Sequence, residues 1–284
     1  MTERILICTD LDRTLLPNGS QPESPHAREI FAAVSRRDDV ELAYVSGRHR
    51  DLVMSAIHEY SVPLPDYVIG DVGTSIYTII DHQWQSWPEW HEAIAPSWNG
   101  HDAEHLASWL TDLKSLRLQE ESKQNIYKLS YYTPASTEVE ALIQEVESRL
   151  ASHNVRASVV WSLDDNTNTG LLDILPAAAT KRHAIEFLMQ ARGFDLNSTL
   201  FAGDSGNDLA VLTSPICSVL VANASESVRM QALSLAQESK TTGALYLAQG
   251  NFMKMNGNYS AGILEGLAHY FPQSVEWLAE ATVS

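Results

Sequence analysis

The stretch Ile5-Leu6-Ile7-Cys8-Thr9-Asp10-Leu11-Asp12-Arg13-Thr14 leaves a chain few ways to fold. An apolar run that stops abruptly at two carboxylates predicts a strand covered on both faces, as in a parallel sheet flanked by helices. Its acids then stand at the carboxyl end, where open α/β sheets place ligands. Along extended backbone, side chains two residues apart share a side, so Asp10 and Asp12 are both available to one divalent cation and to whatever it holds. Taken alone, the pair reads equally as a strand closing in an acidic turn, and residues further on have to decide.

The same pattern recurs along the chain. Ser24 as N-cap and Pro25 at the first helical position predict a helix carried by Ile30, Phe31 and Val34. Leu42-Ala43-Tyr44-Val45 is a second buried strand, ending in Ser46-Gly47-Arg48 before a helical pattern through Leu52, Val53, Ala56 and Ile57. A small hydroxyl and free N–H groups there suit a phosphate, although a plain helix cap accounts for the same residues. Tyr67-Val68-Ile69-Gly70 is another strand.

Between 81 and 170 the strand–helix alternation stops and Trp84, Trp87, Trp90, Trp98 and Trp109 gather. An inserted α/β domain is expected there, with helices near 102–113 and 136–152 and strands at 127–132 and 157–162. The spacing of Trp84, Trp87 and Trp90 predicts a helical stripe buried against its sheet. The polar run 164–170 is expected to turn.

The main sheet is expected to resume at 171–176, and Thr180 to cap a helix over 181–192. Its first residue, Lys181, opposes the helix dipole unless an anion lies nearby. Thr199-Leu200-Phe201-Ala202 then runs into Gly203-Asp204-Ser205-Gly206-Asn207-Asp208. The glycines allow a tight strand-to-helix turn, and three acceptor side chains converge as a hard cation requires. A last apolar helix, 261–270, is expected to pack on the core. The fold class is therefore α/β: a Rossmann-like parallel-sheet core, residues 1–80 and 171–284, with an inserted α/β cap domain, 81–170. The expected linkers lie near 78–82 and 170–173.

The formal charge of −17 over 284 residues argues against a nucleic-acid backbone or an anionic membrane as partner. Cys8 and Cys217 make no disulfide framework and fit a reducing compartment, with the cytoplasm as the expected location. Residues 1–4 lead straight into the first strand, and no apolar run approaches the ~20 residues of a membrane span.

Together these segments resemble the haloacid dehalogenase superfamily of phosphohydrolases. Asp10-Leu11-Asp12-Arg13-Thr14 matches its nucleophile motif Asp-x-Asp-x-Thr, Ser46 the hydroxyl of the second motif, Lys181 the lysine of the third, and 203–208 the acidic fourth. An α/β insertion between the second and third motifs resembles the branch that contains sucrose-phosphate phosphatase, mannosylfructose-phosphate phosphatase and phosphomannomutase. The stretches 66–74, 127–132, 173–176 and 260–265 are similar to its sucrose-phosphatase-like members and to the phosphatase part of glucosylglycerol-phosphate synthases.

The resemblance implies that Asp10 attacks phosphorus and that Asp12 protonates the leaving sugar oxygen and then activates water. It further implies a Mg²⁺ site drawn from Asp10, Asp12, Asp204 and Asp208, with Asp12 contributing its backbone carbonyl. Ser46, Gly47, Lys181 and Asn207 would hold the phosphate, Lys181 taking part in the chemistry, while Asn207 and Asp208 steady Lys181. Thr14 would tie down the motif loop. Arg13 stands where glycine or asparagine is usual, a departure that bears on the loop over the site. Three activities are in view: hydrolysis of a glycosyl phosphate, phosphomannomutase-type transfer, and catalytically silent phosphosugar binding. The intact acids disfavour the last. The acidic, aromatic insertion, with Gln119-Glu120-Glu121 ahead of Lys128, disfavours the second because it suits sugar hydroxyls better than a second phosphate. A substrate like sucrose 6-phosphate or glucosylglycerol phosphate is expected, with the cap closing over the core. Alternation puts Lys128, Ser130 and Tyr132 on one face, and these residues with Glu120 are the candidate sugar contacts. Association with a glycosyltransferase is the expected partnership.

Overall fold

A computed structural model describes residues 4–164 and 167–281, so the approach of residues 1–3 to the first strand, and Asp165 and Asn166 of the expected turn, lie outside the described residues. The chain forms two compact units, Met1–Ser86 together with Lys181–Ser284, and Trp87–Thr180.

The first unit opens with β1 (Ile5–Thr9), α1 (Ala27–Ser35), β2 (Val40–Val45), α2 (Arg50–Tyr60), β3 (Tyr67–Gly70) and the hairpin β4 (Ser75–Ile80) and β5 (Gln83–Ser86). The second unit holds α3 (Pro88–Ile94), α4 (Ala103–Ser108), β6 (Arg117–Leu118), β7 (Leu129–Pro134), α5 (Val139–Ser152), β8 (Ala157–Asp164) and β9 (Thr169–Pro176). The chain then completes the first unit with α6 (Lys181–Arg192), β10 (Thr199–Gly203), α7 (Leu209–Leu212), β11 (Cys217–Leu220), α8 (Glu226–Glu238), β12 (Leu245–Leu247), α9 (Ser260–Tyr270) and α10 (Ser274–Ala281).

Eight strands make the first sheet, in the order β12-β11-β10-β1-β2-β3-β4-β5. Pairing is parallel from β12 to β3 and antiparallel at β4 and β5. The unbroken apolar run of β1 has its reason here. Ile5 and Ile7 join one core with Phe31 and Val34 of α1, Val53 of α2, Leu264 and Leu267 of α9 and Leu278 of α10. Leu6 and Cys8 alternate to the other face and are equally buried. From β1 the chain runs outward through β2 and β3, and it returns through β10, β11 and β12 on the other side. Strand order therefore reverses between β1 and β10, which opens a crevice beyond their carboxyl ends.

The second unit is built on an antiparallel sheet ordered β6-β7-β9-β8. Leu129 and Tyr131 of β7 and Leu172 and Ile174 of β9 pack on Val146 and Leu150 of α5 and on Trp98, Leu106 and Leu110.

Several expectations are corrected. Residues 171–176 belong to the second sheet, where Ile174 pairs with Leu129 and with Val159, because a short apolar run fits whichever sheet offers a partner strand. The chain consequently crosses between units at Ser86/Trp87 and Thr180/Lys181, not near 78–82 and 170–173. Residues 78–82 lie at the β4–β5 hairpin, and 170–173 are mid-strand. No helical tryptophan stripe forms, since Pro88 starts a helix only after Trp84 has been used in β5, where it meets the ring of Tyr77 at 5.5 Å. Ser24 does not cap α1; its Oγ donates to Asn256 Oδ1 at 2.8 Å, and the helix begins at Ala27. The helix over 261–270 is followed by another, α10. Among the described residues no helix is long and apolar enough to cross a membrane.

Candidate active site

Parallel register brings the acids together. The N–H of Asp10, just past β1, donates to the carbonyl of Ala202 in β10 at 2.9 Å, which sets Asp10 beside the end of the strand that carries Asp204. The chain then folds back: Leu11 O accepts the N–H groups of Thr14, Leu15 and Leu16 at 3.3, 3.1 and 2.8 Å. In this turn Arg13 has φ 59°. Asn18 Oδ1 accepts from its N–H at 2.8 Å and Asn223 Nδ2 donates to its carbonyl at 2.6 Å, so the left-handed residue is gripped from both sides.

Asp10, Asp204 and Asp208 are 5%, 4% and 0% exposed. One carboxylate oxygen from each lies within 4.8 Å of the other two. Lys181 Nζ reaches Asp10 Oδ1 at 3.1 Å, Asp208 Oδ1 at 2.7 Å and Asn207 Oδ1 at 3.1 Å. These carboxylates are what make a lysine tolerable in the first turn of α6, against the helix dipole. Asp208 Oδ2 accepts the N–H groups of Asp204 and Ser205, both at 3.1 Å, so both of its oxygens are engaged and it acts on its neighbours' positions. Gly203 serves close approach and not the turn: a Cβ there would lie 2.6 Å from Asp208 Cγ.

Burial pushes the Asp10 carboxyl up to about 7, Lys181 pulling it back and Asp208 adding to the rise. Asp204 is pushed up to about 6 by burial and by Asp208, against the pull of Arg13. Burial also works against the charge on Lys181, but Asp10 and Asp208 outweigh it and hold the ammonium protonated. Three buried carboxylates against one buried lysine leave uncompensated negative charge, the condition that a divalent cation relieves. Asp10 and Asp204 are therefore fit to hold one.

Asp12 faces elsewhere. Arg48 grips its carboxylate with two prongs, Nη2 to Oδ1 at 2.6 Å and Nε to Oδ2 at 2.8 Å, and Asn18 Nδ2 donates to Oδ1 at 2.6 Å. Partial burial raises its pKa, but these partners prevail and hold the carboxyl below the usual range. The side chain thus takes no part in the acidic cluster. Ser46, fully buried, accepts the Arg48 N–H on Oγ at 3.2 Å and keeps its own proton for another acceptor; it is not the cap of α2, which begins at Arg50. Asn207 Oδ1 takes Lys181 and the hydroxyl of Ser205, leaving the amide N–H groups to donate. Thr14 does tie down its loop, donating to Asp204 Oδ1 at 3.3 Å. Asp10, Asp12, Arg13, Ser46, Gly47, Arg48, Asp204 and Asn207 line one cavity of about 540 Å³.

The sequence matches the family model for Sucrose-6F-phosphate phosphohydrolase over residues 3–271. The chain belongs to this family. It is 52% identical over 278 residues to a Nitrosococcus oceani protein described only as HAD-like hydrolase, covering 98% of this chain and 75% of that one. The mannosylfructose-phosphate phosphatase of Agrobacterium fabrum is 29% identical, over 93% of this chain and 96% of its own. In fold it is similar to the sucrose-phosphatase of Synechocystis, solved with sucrose and phosphate: TM-score 0.70, 24% identity, 94% and 98% of the two chains. The protein is accordingly a sugar phosphatase of the haloacid dehalogenase superfamily, acting on a glycosyl phosphate.

The cap candidates all lie in the second unit. Tyr132 donates its hydroxyl to Glu120 Oε2 at 2.7 Å. Ser130 is fully buried, its hydroxyl committed to Asp173 and its backbone bracketed by the Gln124 amide. Lys128 lies buried just ahead of β7. Sequence reasoning missed Arg48, Asn18 and Asn223 as site-building residues. A cation at the end of β2 in so acidic a chain was the available signal for Arg48; none marked the two asparagines.

Proposed function

We propose that the protein is a Mg²⁺-dependent phosphatase that hydrolyses a phosphorylated disaccharide or glycoside, of the sucrose 6-phosphate or glucosylglycerol phosphate kind, through an aspartyl-phosphate on Asp10. The observation that carries this reading is the buried Asp10–Lys181–Asp208 chain beside Asp204: a carboxylate fixed by a lysine, with its second oxygen outside that contact. Asp10 attacks phosphorus, the bond to the sugar oxygen breaks, and Asp12 gives that oxygen its proton. In the second step Asp12 takes a proton from water, whose oxygen attacks phosphorus and releases phosphate, restoring Asp10. Ser46, Gly47, Asn207 and Lys181 bind the phosphoryl oxygens. Asp10, Asp204 and the Asp12 carbonyl are the groups that would hold Mg²⁺, which when bound offsets the charge on the phosphoryl group. Arg48 keeps Asp12 ionised in the free site; as substrate binds, the carboxyl quits that pair and takes a proton from the substrate's phosphate monoanion or from water, gives it to the leaving oxygen, and recovers it from the attacking water in the second step.

Sugar recognition is assigned to the second unit, through Glu120, Lys128 and Tyr132 and the Ser130–Asp173 pair. The names of the relatives support the disaccharide class. A glycosyltransferase that joins two sugars and leaves a phosphate makes such a substrate, and the protein is read as its cytoplasmic partner. The test is a phosphate-release panel with Mg²⁺: sucrose 6-phosphate, mannosylfructose phosphate, glucosylglycerol phosphate and mannose 1-phosphate. Release from one of the first three at well above the rate for mannose 1-phosphate is expected. Phosphate moved between positions on mannose without release would reverse the reading.

A further inference from the structure

Resting on the proposed metal role of Asp10 and Asp204, we infer that Arg13 is a tethered counter-cation for Asp204, one that an arriving divalent ion must displace, and that it thereby sets the metal concentration the protein needs. Asp204 is 4% exposed, whereas the Arg13 side chain is 46% exposed; an arm based at the mouth of the cavity reaches down to a buried acid, Nε to Oδ2 at 3.2 Å. Among the described residues the other Asp204 oxygen takes only the neutral hydroxyl of Thr14. Cations in this cluster thus differ in kind. Lys181 is buried and held by three oxygens, so it is part of the wall. Arg13 has one carboxylate contact and a long 3.5 Å approach to the Asn223 carbonyl, so it can leave.

The backbone points the same way. Arg13 sits at φ 59°, a conformation that favours glycine, and two asparagines bond its backbone there. A long cationic side chain kept at such a position is placed for what its guanidinium does. In this structure that is to pair with one oxygen of a carboxylate that would hold a divalent ion. A guanidinium and a dication cannot both neutralise one carboxylate without repelling each other.

Metal binding in the absence of substrate tests this. Metal-free protein is titrated with Mn²⁺ by calorimetry and by the loss of its free-ion electron-spin signal, in the wild type, Arg13→Gly, Arg13→Asn and Arg13→Lys. Both neutral replacements suit the left-handed backbone, and thermal unfolding in chelator confirms that each is folded. Mn²⁺ should bind Arg13→Gly and Arg13→Asn roughly 3- to 10-fold more tightly than wild type, the scale of a half-exposed ion pair, and Arg13→Lys should stay close to wild type. Unchanged or weaker binding in the two neutral variants would overturn the displacement, leaving the phosphatase reading intact. If the wild type and all variants fail to bind Mn²⁺, the metal role falls and this inference with it.

Discussion

In the proposed mechanism Asp10 is the nucleophile. Asp10→Asn replaces an anionic nucleophile by an amide and should abolish turnover; phosphate release above ~1% of wild type would exclude attack by this residue. Asp12→Asn should slow release by roughly 10²- to 10⁴-fold, and a rapid quench should then find phosphate covalently on the protein. Arg48 acts through Asp12. Its two-pronged grip holds the Asp12 carboxyl low, so with Arg48→Gln the carboxyl rises and the acidic limb of the kcat profile should move to higher pH. A limb that stays put would mean that Asp12 is not the group titrating there. At this scale the sequence was legible where an acid closes a strand or turn, as for Asp10, Asp204 and Asp208, or where a charge opposes its helix dipole, as for Lys181. Arg48 and Asp12 are 36 residues apart, and Asn223 and Arg13 are 210 apart. Local pattern holds no record of such pairings.

Among the elements, α9 shows how a motif that resembles a functional signature can be a packing device. A Cβ on Gly266 would stand 2.6 Å from Val219 Cβ in β11, and one on Gly262 would stand 2.3 Å from the Gly257 carbonyl. Glu265 beside them accepts the N–H groups of Gln249 and Gly250 and the Tyr246 hydroxyl. Gly266→Ala should therefore cost about 1–3 kcal/mol in urea unfolding through overpacking, with kcat of the folded fraction unchanged. A loss of kcat without loss of stability would give this stretch a chemical role. Strands buried on both faces, such as β1 and β10, were legible as apolar runs. β9 was legible as a strand but not as a member of its sheet, because partner choice is non-local. α10 follows Pro272 and is only 8 residues long, too short for its periodicity to stand out.

For the whole molecule, the proposed division of labour between units has a kinetic signature. Glu120→Ala or Lys128→Ala should raise KM for the glycosyl phosphate while leaving hydrolysis of a small aryl phosphate nearly unchanged, since the latter has no sugar to hold. Equal losses on both would assign these residues to the fold. The first unit has a signature in pH. Asp10 at about 7 and Asp204 at about 6 lie above their unfolded value of 3.8. Their contribution to stability is thus fully present below the unfolded pKa and lost as pH rises through 6 to 7. Metal-free protein should melt at lower temperature at pH 8 than at pH 5, and Mg²⁺ should restore the difference at pH 8; Asp204→Asn should flatten both responses. An unresponsive melting temperature would show that these carboxyls titrate normally.

The position of β1 between β2 and β10 also dictates an order of events during synthesis. β2 leaves the ribosome soon after β1 and can zip onto one side of it, but the opposite side of β1 stays unzipped until Thr199–Gly203 has been made, after all of Trp87–Thr180. A contiguous unit can therefore finish folding while the discontinuous one still presents a raw hydrogen-bonding edge. The half-made protein lacks Asp204 and Asp208 and still has that edge of β1 unpaired. Growing chains halted between the two halves should be the species that aggregate or recruit a chaperone, and release of β10 should be the step that ends both conditions.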